Sequence, residues 1–308
     1  MKIGLIGAGR WGKRYIETLK RMPGAELACL ASSNPESASL VPPGCRLAAD
    51  WRGLLEGGGR PDGVIVATPP GTHLEIAAGL LRAGIPVLVE KPLTLSLPEA
   101  EELFKEAGKS GVLAMAGHTH LYSAAFRGLK SKGLALGRLE RIRSAAGAWG
   151  PFRPDTPPLW DWAPHDISMA IALEGSGPVS VEARRTGRME QPPGKGEAVA
   201  IKLLFGSGVF SEIHISNIQE RKQRLFEAFY EGGSLTYDDL APEKLVYRPA
   251  AGGAQEPVAI EGSMPLANLV ADFCRAIGEG RRSDPSLLLG VQVVKALSEC
   301  QKHLDAAG

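Results

Sequence analysis

The chain is expected to fold as an α/β protein with two domains, a doubly wound parallel sheet followed by a mostly antiparallel open sheet with helices. Three observations predict this. Apolar segments alternate with helical segments over residues 1–117, a glycine-rich turn follows the first of them, and period-two segments dominate after residue 120. Strands separated by helices imply a parallel sheet with right-handed crossovers, whereas period-two strands imply antiparallel pairing. At 308 residues the chain can bury two cores.

The first 117 residues are interpreted as five strands with three helices between them. The strands are Ile3–Ile6, Glu26–Ala31, Gly63–Ala67, Pro86–Val89 and Val112–Ala116, and the helices run to about Met22, over Thr72–Ala83 and over Pro98–Lys109. Pro23-Gly24 stops the first helix, Gly84 is a C-cap for the second, and Ser96 is the N-cap of the third. The β-branched run Gly63–Ala67 suits a strand that is buried on both faces.

After residue 120 the pattern becomes that of an antiparallel sheet. A basic helix, Ser123–Lys132, precedes a long strand, Arg138–Ala148, and a proline-rich loop, Gly150–Pro158, precedes an amphipathic helix near Trp160–Leu173. Alternating segments and two closing helices follow at Val179–Arg185, Val199–Phe205, Val209–Ser216, Leu225–Tyr230, Ser234–Tyr237, Pro265–Glu279 and Ser286–Leu304. We therefore expect domains at residues 1–119 and 120–308, and the last helices can pack back on the first domain.

The turn Gly7-Ala8-Gly9-Arg10-Trp11-Gly12 has the spacing G-x-G-x-x-G between the first strand and the first helix. Gly7 permits the tight turn, Gly9 lets the backbone approach a pyrophosphate, and Gly12 allows close helix–strand packing. The helix N-terminus supplies free N–H groups and the positive end of the helix dipole. The motif in this context predicts a Rossmann-type dinucleotide site that includes Gly7, Gly9, Arg10, Trp11 and Gly12.

The end of the second strand bears on the choice between NAD and NADP. About 20 residues after the turn, an NAD site usually carries an acid that binds the ribose diol. This chain has Ser32 and Ser33 there, and Asn34 follows. No carboxylate repels a 2′-phosphate, and small hydroxyl groups can donate to one. We therefore expect NAD or NADP with a preference for NADP. That preference is slight, because no Arg or Lys follows directly to bind a 2′-phosphate.

Glu90-Lys91-Pro92 follows an apolar strand at the edge of the sheet where ligands bind in open α/β folds. Oxidation of an alcohol, or reduction of a carbonyl, moves one proton together with the hydride. Lys91 can move that proton if its pKa falls from about 10.4 towards about 7–8 beside a nicotinamide. The alternative is a surface ion pair at a strand end, which is common for a lone Glu-Lys sequence.

Three motifs in order give the chain a family resemblance. Gly7-Ala8-Gly9, then Thr68-Pro69-Pro70-Gly71-Thr72-His73, then Glu90-Lys91-Pro92-Leu93 resemble the glucose–fructose oxidoreductase, inositol dehydrogenase and rhizopine-catabolism (Gfo/Idh/MocA) family. Residues 117–129 are similar to the family's entry into its second domain, and residues 159–168 to its substrate-facing helix. The resemblance extends over essentially the whole chain and implies the two-domain fold.

The resemblance also implies roles for individual residues. It makes Lys91 the catalytic acid/base and Glu90 a structural or nicotinamide-side contact, and it implies a cis Lys91-Pro92 bond. Thr68, Pro70 and His73 are expected along the cofactor. These expectations add to the cofactor residues already named from the glycine-rich turn and the second strand.

In the second domain, the family's aspartate and histidine, four residues apart, match Asp161 and His165. That spacing places both on one helical face. His165 is expected to orient or relay the proton of the reacting hydroxyl, and Asp161 to bind a second hydroxyl. The chain departs from many members at Thr119-His120-Leu121, where they carry Asn-x-Arg. It also has Ser168 where a further acid is common.

Composition excludes several other classes of protein. The 35 basic and 34 acidic residues give a net charge of +1, which argues against general nucleic-acid binding. No apolar run approaches the roughly 18–20 residues of a membrane span. The four cysteines show neither zinc spacing nor a disulfide framework, so we expect a cytoplasmic protein without a metal. Cys29 is expected to be a small buried apolar residue.

The function expected from these observations is hydride transfer between NAD(P) and a secondary alcohol or carbonyl. The resemblance implies a sugar, polyol or nucleotide-sugar substrate, and a homodimer or homotetramer that forms through the C-terminal sheet, whose alternating apolar face needs cover. Two alternatives stay open. One is a non-catalytic NAD(P)-binding sensor, and the other is an NAD-assisted glycoside hydrolase with no net change in its cofactor.

Overall fold

A computed structural model describes residues 1–56, 59–262 and 264–307, apart from the side chain of residue 191. The chain divides into two compact units. Unit 1 comprises Met1–His118 and Met264–Val291, and unit 2 comprises the described residues of Thr119–Ser263 and Gln292–Gly308. The first boundary thus falls one residue before the expected one, and residues 264–291 belong to unit 1. Residue 308, at the end of the expected second domain, lies outside the described residues.

The secondary structure comprises the following elements. The strands are β1 (Lys2–Ile6), β2 (Glu26–Ala31), β3 (Arg46–Ala48), β4 (Gly63–Val66), β5 (Val87–Glu90), β6 (Ala114–Gly117), β7 (Leu139–Trp149), β8 (Ser180–Gln191), β9 (Gly194–Leu204), β10 (Phe210–Ser216), β11 (Ile218–Tyr230), β12 (Gly233–Asp238), β13 (Leu245–Pro249) and β14 (Glu256–Pro257). The helices are α1 (Arg10–Arg21), α2 (His73–Arg82), α3 (Leu97–Ser110), α4 (Ala124–Gly133), α5 (Pro158–Glu174), α6 (Pro265–Gly278) and α7 (Pro285–Ala306).

Unit 1 contains a six-stranded sheet in the order β3-β2-β1-β4-β5-β6, and all its pairs are parallel. The chain reverses its direction of winding between β1 and β4, which is where ligands bind in doubly wound sheets. All four residues of β4, and all four of β5, are buried. The predicted Rossmann-type fold is confirmed.

The ends of α3 show how local sequence sets an element. The Ser96 hydroxyl accepts a hydrogen bond from the Glu99 N–H, Pro98 lies in the first turn, and Gly111 ends the helix with φ of 61°. Each feature satisfies a backbone group or a conformation that other residues meet poorly. The predicted N-cap at Ser96 is therefore confirmed.

Three short strands, β3, β13 and β14, carry no pattern that predicted them from the sequence. Each lies at or next to an edge of its sheet. In β3 the side chain of Leu47 is 47% exposed, and β14 is exposed at both residues. Edge strands of two to five residues bury too little apolar surface to impose a period-two pattern on the sequence.

Unit 2 contains an eight-stranded sheet in the order β14-β13-β12-β11-β7-β10-β9-β8. Only β7 and β10 pair in parallel; the other pairs are antiparallel. One face packs against α4 and α5. The buried side chains of that face include Ile142, Ile201, Leu203, Ile213, Phe226 and Leu235. The expected mostly antiparallel second domain is confirmed.

Helix α5 differs from the amphipathic helix that the sequence analysis predicted. Within Pro158–Ile171 every residue except Asp161 is buried. The helix packs against β7, β9 and β10. A helix that is buried on nearly all sides carries apolar residues all round, so the expected amphipathic pattern is absent. The sparse polar residues on α5 are therefore the informative ones.

The outer face of the C-terminal sheet also differs from expectation, because the alternating apolar residues face the helices. Register places one row of alternating charge across five strands on the opposite face: Glu227, Arg143, Glu212, Lys202 and Glu182. The next row holds Phe229, Arg141, Phe210 and Leu204. Arg143 pairs with Glu227 at 2.7 Å, and the Arg141 guanidinium lies 4.2 Å from the Phe229 ring centre. We call these two rows the outer-face rows.

All four cysteines are free thiols, and Cys29 is fully buried, as predicted. Burial raises the pKa of the Cys29 thiol. Among the described residues, no helix combines the length and the apolar character that crossing a bilayer would require.

Candidate functional site

The three glycines of the glycine-rich turn have different steric surroundings. Gly7 has φ of +94°, and a Cβ there would meet the carbonyl oxygen of Ala67. A Cβ on Gly12 would overlap the carbonyl of Gly7 and reach Leu5 of β1, so Gly12 lets the helix pack closely against the end of the strand and the turn that follows it. A Cβ on Gly9 would have no atom within 4 Å. The protein therefore leaves space above Gly9, which is where a pyrophosphate would approach the backbone.

The start of α1 is suited to an anion. Gly9 is the N-cap and supplies no side chain to cap the helix, and the first turn contains no acidic residue. The first N–H groups of α1 accordingly lack intrahelical acceptors and carry the positive end of the helix dipole. Arg10 is exposed and Trp11 is half-buried, with the Arg14 guanidinium 4.9 Å from its ring centre. These residues fit the pyrophosphate of a dinucleotide.

The two serines after β2 have different roles. The Ser32 hydroxyl lies 2.8 Å from the Ser37 hydroxyl and accepts a hydrogen bond from the Asn34 N–H, so it shapes the turn. Ser33 is exposed. Of the two predicted contacts, Ser33 is thus the one whose side chain faces solvent at this strand end.

The turn after β4 is ordered by threonine hydroxyl groups. The Thr72 hydroxyl donates to the Pro69 carbonyl at 2.8 Å, so the Thr68 hydroxyl, 2.7 Å from it, donates to Thr72. Thr68 is half-buried, whereas Pro70 is buried. Of these two expected cofactor contacts, only Thr68 has appreciable exposed surface.

The structure corrects the role expected for His73. Its side chain is fully buried, which leaves it no surface for a cofactor. Nε2 lies 2.9 Å from the Thr68 carbonyl oxygen, and Nδ1 lies 3.1 Å and 3.2 Å from those of Pro92 and Leu93. Burial lowers the pKa of His73, and the three carbonyl groups oppose that shift. His73 ties the turn after β4 to the corner after β5.

Glu90 and Lys91 form that corner, and the Lys91-Pro92 bond is cis, as the resemblance implies. Glu90 is 4% exposed and is held at both oxygens. Oε1 accepts from the Tyr15 hydroxyl at 2.6 Å, and Oε2 accepts from the Lys91 N–H at 3.0 Å. Burial raises the pKa of Glu90, and both hydrogen bonds oppose that rise. Glu90 is therefore a structural residue rather than a cofactor contact, and Lys91 is half-buried beside it.

Sequence reasoning missed Tyr15, the partner of Glu90. It lies on α1, the helix that begins at the glycine-rich turn, and is fully buried. The hydrogen bond thus links α1 directly to the Lys91 corner. The available signal was a tyrosine on the buried face of a helix, where its hydroxyl must find an acceptor.

In unit 2, α5 presents Asp161 and His165 one turn apart, as the spacing predicted. Asp161 is half-buried and pairs with Arg153, whose Nε lies 3.5 Å from Oδ2. His165 is 6% exposed, and its ring centre lies 4.2 Å from that of His120 in an edge-to-face arrangement. Sequence reasoning named neither Arg153 nor His120 as partners of these two residues. Both partners are separated from α5 in the sequence, so the periodicity of the helix does not indicate them.

Asp166 follows His165 and points into the core of unit 2. Burial raises the pKa of its carboxyl to about 6, while Arg224 and Ser144 partly offset that rise. The Arg224 guanidinium lies 4.6 Å from the ring centre of Trp162. Asp166, Arg224 and Trp162 form a polar cluster between α5 and the sheet.

No cluster of metal ligands accompanies these residues. Within residues 1–56, 59–262 and 264–307, no three His, Cys, Asp or Glu side chains group closely enough to hold a metal ion. His118 is buried at the end of unit 1, and His120 packs against His165 in unit 2.

The site residues named from the sequence fall into two sets. Unit 1 contributes residues at or just beyond the carboxyl ends of β1, β2, β4 and β5: Gly7, Gly9, Arg10, Trp11, Gly12, Ser32, Ser33, Thr68, Pro70, His73, Glu90 and Lys91. Unit 2 contributes Asp161 and His165. The first set lies along the carboxyl edge of one parallel sheet, and the second on one face of one helix.

Comparison with known proteins bears on both units. The oxidoreductase family GFO_IDH_MocA, described as having an NAD-binding Rossmann fold, matches residues 1–118. The solved structure of a candidate oxidoreductase from Magnetospirillum magnetotacticum MS-1 is 40% identical. It covers 97% of this chain and 99% of its own, with a TM-score of 0.90.

Two curated relatives are similar over their full length. UDP-N-acetylglucosamine 3-dehydrogenase of Acidithiobacillus ferrooxidans is 26% identical over 99% of this chain and 98% of its own. 4-Carboxy-2-hydroxymuconate-6-semialdehyde dehydrogenase of a Sphingobium species is 26% identical over all of both chains. The glycine-rich turn, the Glu90-Lys91-Pro92 corner and these similarities agree, and the chain belongs to the Gfo/Idh/MocA family of NAD-binding oxidoreductases.

Proposed function

We propose that this dehydrogenase or reductase moves a hydride between a nicotinamide and a secondary alcohol or carbonyl of a sugar, polyol or nucleotide-sugar. Lys91 is the acid/base of that reaction. The observation that supports this most is the corner at Lys91. A buried carboxyl group, that of Glu90, is fixed at both oxygens and holds the backbone of the half-buried Lys91 at the carboxyl edge of the sheet that carries the glycine-rich turn.

The bound nicotinamide supplies the C4 position that accepts or gives the hydride. In the oxidation direction the alcohol carbon loses a hydride, and its hydroxyl proton passes to the Lys91 amine. A carbonyl group remains. In reduction, Lys91 returns that proton to the oxygen. A positioned acid/base of this kind contributes typically 10²–10⁴-fold to the rate.

His165 and Asp161 act on the same substrate in this proposal. His165 orients the reacting hydroxyl or relays its proton, and Asp161 accepts a hydrogen bond from a second hydroxyl. A carboxylate is an acceptor only, so an ionised Asp161 selects a hydroxyl or amide donor. The His120 ring packs edge-to-face against the His165 ring.

Among the two nicotinamide cofactors we propose a preference for NADP. Ser32 and Ser33 follow β2 where a carboxylate would bind the ribose diol of NAD, and Ser33 is exposed. A hydroxyl group in this place donates to a 2′-phosphate without repelling it.

One experiment tests the cofactor and the acid/base together. The protein is titrated with NADH and with NADPH, and energy transfer from tryptophan is recorded. We expect micromolar affinity and at least tenfold discrimination for NADPH (about 1.4 kcal/mol). Turnover of UDP-N-acetylglucosamine, myo-inositol, free hexoses and an aldehyde substrate is then followed at 340 nm for the wild type and for Lys91→Met.

Lys91→Met is expected to abolish turnover while the affinity for the reduced cofactor stays within threefold of the wild type. Near-normal turnover would remove Lys91 from the mechanism. Binding without turnover of any substrate favours the sensor alternative. Glycoside cleavage with no net change at 340 nm favours the NAD-assisted hydrolase.

We further propose that a second copy of the chain covers the outer-face rows of the C-terminal sheet, giving a homodimer or homotetramer. These rows place partly exposed Phe210 and Phe229 beside a row of alternating charges, and Leu204 is 43% exposed. Aromatic residues and arginine are enriched at protein interfaces. Opposite charges in one row can also pair with the same row of a symmetric copy.

A further inference from the structure

Arg153 forms an ion pair with Asp161 but has no functional role in the reaction proposed above. Arg153 belongs to the loop before α5, and its side chain is 30% exposed, whereas that of Asp161 is 15% exposed. The closest atoms, Nε and Oδ2, are 3.5 Å apart. The pair is thus largely desolvated but still reachable from solvent. Asp161 is the residue that the proposed function makes a substrate ligand.

A buried asparagine holds the start of the loop that carries Arg153. Asn217 is 1% exposed, and its amide nitrogen donates to the carbonyl groups of Pro151 and Lys195. Its side-chain oxygen Oδ1 accepts a hydrogen bond from the Glu197 N–H at 2.7 Å. Its main-chain carbonyl oxygen accepts one from the Gly150 N–H at 2.8 Å. Asn217 therefore links the loop at Gly150 and Pro151 to the first residues of β9.

The loop also packs backbone to backbone against the start of β9. A Cβ on Gly194 would come within 2.5 Å of the Arg153 carbonyl oxygen. Only glycine at residue 194 permits this approach. Arg153 is consequently fixed from its main chain, two residues beyond the Asn217 contact, and its side chain is directed to the first turn of α5.

The chemistry of the pair matches two neighbouring hydroxyl groups. A guanidinium donates five N–H bonds and accepts none, whereas a carboxylate only accepts. A hydroxyl both donates and accepts. Asp161 can therefore accept from one hydroxyl while Arg153 donates to the oxygen of the next. Hydrogen bonds from a guanidinium or to a carboxylate are stronger than those between neutral groups.

We propose that Arg153 is a specificity-determining residue that, together with Asp161, binds a vicinal diol of the substrate. This inference rests on the proposed function, because Asp161 is a substrate ligand there. It narrows the substrate class. The molecule carries two adjacent hydroxyl groups in addition to the alcohol that is oxidised, as a pyranose or a cyclitol does, and a simple secondary alcohol is a poor substrate.

The test compares three variants on the substrate found among UDP-N-acetylglucosamine, myo-inositol and free hexoses. Arg153→Gln is expected to raise KM at least tenfold (about 1.4 kcal/mol) with kcat within threefold of the wild type. Arg153→Lys restores part of the loss because it keeps a charged donor. Arg188→Gln removes an exposed arginine paired with Glu190 in the same unit and is the matched control, with unchanged kinetics.

Two kinetic results would overturn the inference. One is an unchanged KM in Arg153→Gln. The other is a fall in kcat and in thermal stability with no change in KM, because that combination describes a residue that only supports the fold.

A second readout does not depend on turnover. Phenylglyoxal modifies arginine, and the tryptic peptide 144–184 contains Arg153 as its one internal arginine, followed by Pro154, where trypsin does not cut. We expect myo-inositol or UDP-N-acetylglucosamine at millimolar concentration to slow modification of that peptide at least threefold, and propan-2-ol to have no effect. Protection without turnover would support the diol site while the dehydrogenase proposal fails. Absence of protection, with or without turnover, would refute the diol site.

Discussion

At the scale of single residues, Asp166 illustrates the cost of burying a carboxyl group. It lies next to His165 on α5, and burial raises the pKa of its carboxyl from 3.8 to about 6. Because the folded pKa exceeds the unfolded one, the native state binds more protons between these values. The contribution of Asp166 to stability is therefore fully present below about pH 4 and is lost as the pH rises through about 6.

This predicts a pH-dependent difference between the wild type and Asp166→Asn. Between about pH 4.5 and about pH 7.5, the wild type loses about 2 kcal/mol of unfolding free energy relative to the variant. Urea denaturation at four pH values measures that difference, and Asp155→Asn, which removes an exposed carboxylate, is the control. Parallel stability curves for the wild type and Asp166→Asn would contradict the assigned pKa.

Also at the residue scale, buried polar partners decide which candidate residues face a ligand. His73 and Glu90 matched family motifs in the sequence, yet both side chains are buried and engaged with protein atoms. Their hydrogen bonds fix the turns that flank Lys91. The motif residues thus separate into those that shape the site and those that can touch a ligand, and only the packing shows which is which.

At the scale of elements, α1 joins two functions in one helix. Its N-terminus follows the glycine-rich turn, and Tyr15, further along, donates to Glu90. The helix packs close to the turn only because Gly12 has no Cβ. A Cβ on Gly9, by contrast, would meet no protein atom within 4 Å, so the missing side chain leaves room for a ligand that approaches from solvent.

Two glycine substitutions separate these roles. Gly12→Ala is expected to destabilise the protein by about 1–3 kcal/mol, or more, because its Cβ overlaps the Gly7 carbonyl. Gly9→Ala, with φ of −70° and an extended ψ, should change stability by less than about 1 kcal/mol. It should nevertheless weaken binding of reduced cofactor at least tenfold (about 1.4 kcal/mol). Thermal melts and fluorescence titrations measure the two effects, and unaltered affinity in Gly9→Ala would argue against a pyrophosphate at this turn.

At the scale of the whole molecule, the outer-face rows of the C-terminal sheet predict the oligomeric state. Light scattering after gel filtration should give a multiple of 32.6 kDa for the wild type. Phe210→Glu adds a charge between Arg141 and Leu204 and should shift the mass towards one chain. Phe104→Glu, at a 42% exposed phenylalanine on α3, is the matched control and should leave the mass unchanged. A monomeric wild type would contradict the proposal.

Much of the fold followed from local sequence. Buried parallel strands such as β4 are continuous apolar runs, and Ser96 and Gly111 mark the ends of α3 through their own hydrogen bonds and backbone angles. The periodicity of apolar residues failed to predict the elements that are either largely exposed or almost completely buried. The exposed edge strands β3 and β14 carried no apolar signal, and the nearly fully buried α5 carried no amphipathic one.

The sequence by itself determined the parallel sheet, the glycine-rich turn, the Lys91 corner and the Asp161–His165 spacing, because each depends on residues that are close together in the chain. Only the tertiary structure decided their partners. Tyr15 reaches Glu90 across 75 positions, and Asn217 reaches Pro151 across 66. Such contacts depend on which turns the sheet brings together. The sequence shows that a buried side chain needs a hydrogen-bond partner, but it does not show which distant residue provides one.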